Sequence, residues 1–126
     1  MTTILLVDDD PMQASLTMSL LGRRFGEVRR VADAADALCL IEQPEFARKL
    51  SLVISAHPTL GVSGPAFVNE LRTRIPDLPV LVLGTAGETS AEYVKEHVVF
   101  MANPFAPELM LSLTGQMLAA RRQAAA

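Results

Sequence analysis

The sequence predicts a single α/β domain: a doubly wound, five-stranded parallel sheet in the order 2-1-3-4-5, with helices on both faces. Two observations predict it. Short apolar runs alternate with helix-like stretches along all 126 residues, and such alternation builds a parallel sheet covered by its own crossover helices. The runs Ile4–Val7, Leu52–Ser55 and "LPVLVLG" (78–84) are almost wholly apolar, as strands buried on both faces are. The stretch Glu27–Val31, "EVRRV", is charged and suits an edge, where charge discourages pairing with other chains. Right-handed crossovers then favour the stated order.

Each element has a local cause. Pro11 opens a helix that runs to about Leu21, with Gly22 as its stop. Ala32–Ile41 is rich in Ala and Leu, and Pro44 follows its end. Pro65–Arg74 carries Phe67 and Leu71 on one helical face, Ile75 continues that face, and Pro76 closes it. Ser90–Glu96 reads as a short polar helix and Val98–Met101 as the fifth strand. Pro107–Arg122 is the last helix, with Leu109, Met110, Leu113 and Met117 at core spacing. One domain fills residues 1–126, and residues 119–126 read as a frayed tail or the start of a linker.

Bulk composition narrows the function. With 11 basic and 14 acidic residues the net charge is −3, which gives no electrostatic reason to bind nucleic acid. The first apolar run is too short for a signal peptide or a membrane span, so a cytoplasmic protein is the default expectation. Cys39 is the only cysteine. No disulfide within the chain and no cysteine-based metal site follow, and its apolar helical setting reads as a buried, inert thiol.

In a sheet of this order, sites form at the carboxyl ends of the strands. Those ends are Asp8–Asp10, Ser55–Pro58, Gly84–Ala86 and Ala102–Pro104. "VDDD" crowds three carboxylates after a buried strand. Like charges repel and raise one another's pKa, so the crowding points either to a hard cation such as magnesium or to Asp10 capping the first helix while Asp8 or Asp9 faces water.

At these residues the chain resembles bacterial response-regulator receiver domains, the CheY-like family. "ILLVDDDP", "LVISAHPTLGVSG", "LPVLVLGTAG" and "NPF" occur in that family's order, at nearly its distances. The resemblance implies a flavodoxin-like fold and a part in two-component or phosphorelay signalling. Asp8 and Asp9 match the family's magnesium-holding pair. Eight residues before Gly64, the position of the phosphoacceptor aspartate is Ala56. Five residues after Pro79, the hydroxyl position is Gly84, with Thr85 one residue late. Asn103, before Pro104, stands where the family has its lysine, and Phe100 matches its switch aromatic.

These departures imply a degenerate receiver, or pseudo-receiver. A methyl group has no oxygen to attack phosphorus, and Asn carries no charge to stabilise the transferring group. Losing acceptor and lysine together leaves neither charge unpaired, which favours natural degeneracy over an engineered inactive form. Magnesium binding is expected to be weak or absent, because Ala56 supplies no ligand. The stretch from Gly84 to Asn103 is shorter than in the family, so the face made by Ser90–Glu96, Val98–Met101 and Pro107–Arg122, where receivers dock or dimerise, is expected to differ. The implied role is regulatory and non-enzymatic. It acts through a protein partner (a sensor kinase, an output domain or another receiver), with a homodimer as one form.

Three alternatives stay open at this level. Asp8 and Asp10 partly match the DxD motif of haloacid-dehalogenase-like phosphatases, with Asp8 as nucleophile, but Met12 stands where that motif has Thr. A receiver phosphorylated elsewhere would use His57, Asp8 or Asp9, since Ser55 should face away from the site. A flavodoxin-type nucleotide carrier shares the topology but would need a phosphate loop after strand 1, where the carboxylates stand.

Overall fold

The apolar runs pair as their periodicity dictates. The structure is a computed structural model and describes residues 2–56, 64–85, 96–103 and 105–125. Strands β1 (Thr3–Val7), β2 (Glu27–Val31), β3 (Leu50–Ala56), β4 (Val80–Thr85) and β5 (Val98–Asn103) form one sheet. Its order is β2-β1-β3-β4-β5 and every pair is parallel. This is the flavodoxin-like order expected. β1 is buried along its whole length, whereas β2 is exposed or half-buried throughout, as a charged edge strand should be.

The sheet divides the core in two. Successive β3 side chains point to opposite faces. Leu52 and Ile54 pack with Ala14 and Leu21 of α1 (Pro11–Gly22) and with Met110 and Leu118 of α5 (Pro107–Ala125). Val53 packs with Ala37 and Leu40 of α2 (Ala34–Ile41) and with Phe67 and Leu71 of α4 (Gly64–Arg74). Phe67 and Leu71 thus share a buried face, as expected.

Several expectations change. The segment after Pro44 is a helix, α3 (Pro44–Lys49). Pro44 does not merely end the preceding helix. It occupies the first turn of the next, where its missing N–H costs nothing, and Arg48 and Lys49 in the last turn complement the dipole. α2 begins at Ala34, not Ala32, because the Asp33 carboxylate accepts the Asp36 N–H at 2.8 Å and caps the helix there.

Cys39 is exposed, not buried. The buried stripe of α2 is Ala34, Ala37, Leu40 and Ile41, and at 100° per residue Cys39 falls on the opposite side. Leu109 is likewise 52 % exposed. The fully buried stripe of α5 is Met110, Leu111, Thr114 and Leu118, with Leu113 and Met117 half-buried against it. α5 continues to Ala125. The expected helix at 90–96 falls on residues 86–95, outside the described residues apart from its last position, as do His57 and Pro104.

The entry to β5 is tied from two sides. His97 has φ 64°, a left-handed conformation that side chains rarely adopt. Its carbonyl accepts the Val80 N–H at 2.9 Å. The Arg72 guanidinium donates to the Pro76 and Glu96 carbonyls, holding the end of α4 to the start of this turn.

Candidate functional site

The three aspartates after β1 have three different fates. Asp10 is the N-cap of α1. Its Oδ1 accepts the Met12 and Gln13 N–H groups at 3.0 and 3.3 Å, and Pro11 follows in the first turn. Asp9 is exposed. Asp8 is only 4 % exposed. Asp10 caps α1 as expected, and of Asp8 and Asp9 it is Asp9 that faces water.

Asp8 is fixed by its backbone as well as its side chain. Its N–H donates to the Val31 carbonyl at 3.1 Å, prolonging the β1–β2 ladder. Its Oδ1 accepts the Asp10 N–H at 3.0 Å. Its carbonyl accepts both Nε and Nη2 of Arg30, at 3.0 and 2.8 Å. Arg30 is the residue that sequence reasoning missed. It was read only as edge-strand charge, yet the register that sets Leu6 beside Arg30 brings its guanidinium back to the strand end. The signal available was its place one residue before Val31, which pairs with Val7, the last residue of β1.

Register also places the other strand ends. Val7 pairs with Ser55, so the next residues, Asp8 and Ala56, end neighbouring strands. Ala56 pairs with Leu83, Gly84 with Ala102, and Thr85 with Asn103. The backbone therefore brings Asp8, Ala56, Gly84, Thr85 and Asn103 to the carboxyl end of the sheet. Ser55 is buried and Ala56 half-buried, and alternation along β3 puts Ser55 on the α2/α4 side with Val53. Gly84 is buried, and Phe100, half-buried on β5, packs against the α2/α4 core.

Burial holds the Asp8 carboxyl above its ordinary 3.8; the Asp10 N–H opposes this, Asp10 and Asp9 reinforce it, and Arg30 opposes it. Between 3.8 and the raised folded value the native chain binds more protons than the unfolded one. Stability conferred at low pH is then lost as pH rises through that window. Asp8→Asn keeps an oxygen for the Asp10 N–H and removes the buried charge. Its expected effect is a gain in stability at pH 7 that vanishes below about pH 3.8. Urea unfolding at pH 3 and pH 7 measures it; a gain equal at both pH values, or a loss at pH 7, contradicts the burial account.

Asp8 and Asp9 are the carboxylates that would face a magnesium ion here. Asp8 already accepts a backbone N–H, Asp9 is exposed, and Ala56 adds no oxygen. Among the described residues, no cluster of three or more acidic, His or Cys side chains stands ready for a metal.

No protein-family model matches the sequence, and no curated protein does. Solved structures do resemble it. A response regulator receiver domain protein from Clostridium thermocellum superposes with a TM-score of 0.87 at 16% identity, over 98% of this chain and 99% of that one. The signal receiver domain of an HD domain-containing protein from Pseudomonas fluorescens Pf-5 gives 0.85 at 22% identity, over 97% and 98%. A putative response regulator from Chloroflexus aurantiacus gives 0.77 at 27% identity, over 93% and 97%.

Proposed function

We propose that this chain, which has the CheY-like fold of a response-regulator receiver domain, is a pseudo-receiver: a signalling module that works by protein–protein contact and not by phosphoryl transfer. One observation carries the reading. β3 ends beside Asp8 on Ala56, which supports reading its methyl group as the stand-in for the nucleophilic oxygen that the family's chemistry needs. No catalytic role falls to the remaining residues, and magnesium binds weakly or not at all. The partner is a protein: a sensor kinase, an output domain or another receiver.

The electrostatics give the domain no pull on nucleic acid at net charge −3, and no described helix is long and apolar enough to cross a membrane. The phosphatase alternative loses support from the geometry. Asp10, its acid/base, is occupied in capping α1, and Asp8, its nucleophile, is buried with a raised pKa.

The test is incubation with acetyl phosphate and magnesium, followed by intact-mass measurement. The expected mass stays at 13.6 kDa. A stable gain of one phosphoryl group overturns the reading and assigns a substitute acceptor.

A further inference from the structure

α1 breaks a rule of surface helices. Between Pro11 and Gly22 it carries no charged residue, although a helix at a protein surface normally turns a charged face to water. Met12 is 76 % exposed and Leu16 65 %. Half-buried Leu20 continues their stripe, at the four-residue spacing that stacks side chains along one helix face. Beside the stripe lies an open groove of about 560 Å³ between α1 and α5, walled by Leu16, Leu20, Phe105, Pro107 and Met110.

Charge is absent from the middle of this face but not from its ends. Exposed Asp9 and Asp10 precede α1, and exposed Arg23 and Arg24 follow it. α5 repeats the polarity, with Glu108 in its first turn and Arg122 in its last. Along the helix, Leu16 lies four residues from both Met12 and Leu20; in sequence it lies seven from Asp9, which precedes the Asp10 N-cap, and seven from Arg23, the C-cap. A two-fold interface matches each patch to itself in reverse. An antiparallel second α1 would set Leu16 on Leu16, Met12 on Leu20 and Asp9 on Arg23 at both ends, with the two helix dipoles opposed.

We propose that this α1–α5 face is a self-association surface whose occupant is a second copy of the same chain, paired antiparallel through α1. The proposal deepens the reading as a contact module but requires nothing of the phosphoacceptor site, so it is tested without any phosphoryl donor. A mass gain from acetyl phosphate would overturn the pseudo-receiver while leaving the dimer standing.

Sedimentation equilibrium on the full chain is the measurement, from micromolar to about millimolar, the range of weak specific association. The expected species is a dimer of twice 13.6 kDa. Leu16→Glu, at an exposed position, should leave the far-UV circular dichroism unchanged and weaken dimerisation about tenfold or more. Asp9→Lys and Arg23→Glu should each weaken it alone, since each sets like charges face to face. Mixed in equal amounts, the two should form a heterodimer, because opposite charges then meet at both ends. The proposal is overturned by a monomer at every concentration, by a dimer indifferent to Leu16→Glu, or by a mixture that associates no better than its components. Capture of a different protein through Leu16 by a strictly monomeric chain likewise rejects the second copy as occupant.

Discussion

A chain carrying Ala56→Asp and Asn103→Lys together is expected to gain one phosphoryl group from acetyl phosphate and magnesium, where the unaltered chain gains none. The backbone already holds these positions in place. Asp8 and Ala56 end adjacent strands, and Asn103 lies on β5, two strands from β3. Strands in a sheet are about 4.8 Å apart, so a lysine on β5 has roughly 10 Å to span jointly with the new aspartate. The added carboxylate supplies the attacking oxygen and a third acidic ligand beside Asp8 and Asp9. As its oxygen–phosphorus bond forms, the bond to acetate breaks. Without the lysine, Ala56→Asp alone should react about 10²–10³-fold more slowly, the usual cost of losing one group that stabilises the transferring charge. Neither variant should gain mass without magnesium, because three carboxylates gathered at two adjacent strand ends need a cation between them. Intact-mass time courses decide the matter; a double variant that stays unmodified would mean that the inactivity has another source than these two side chains.

The site was legible from sequence because its positions are set by strand ends, and strand ends follow from apolar runs. Val7 is the last apolar residue of the first run, and Asp8 must come next. What was not legible depends on tertiary placement. The roles of Asp8, Asp9 and Asp10 differ only because the chain turns into α1 there, burying the first and leaving the other two in water. Arg30 looked like edge charge because nothing in "EVRRV" says that one of its two arginines reaches back to the Asp8 carbonyl. The same limit explains the fold. Order and register follow from periodicity, but Cys39 and Leu109 sit in apolar stretches where one helical step separates core from solvent. α3 was hidden because proline both ends and begins helices, and only the residues after Pro44 tell which.

Phe67→Ala is expected to cost about 3–5 kcal/mol, the range for emptying a fully buried aromatic site. Its ring is wholly buried between α4 and the sheet. Apart from the Arg72 bonds to the Pro76 and Glu96 carbonyls, burial is the main tie of α4 to the sheet. Of its 11 residues, only Gly64, Phe67, Val68 and Leu71 are buried, and its ion pairs, Arg74 with Glu42 and Glu70, lie at the surface where such pairs contribute little. Val68 and Leu71 cannot close the gap, since each already packs in the same cluster. Against a total stability of about 5–15 kcal/mol for a domain, this loss should lower the melting temperature by roughly 10–20 °C. Leu16→Ala is the control. It removes an apolar side chain that is 65 % exposed and should change stability by less than about 0.5 kcal/mol while weakening self-association. The two substitutions therefore separate two kinds of apolar surface in one small domain: Phe67 holds the sheet to its cover, and Leu16 lies outside the core. If thermal unfolding showed equal losses for both, α1 would be contributing to the monomer's own core, and its uncharged face would need no second chain.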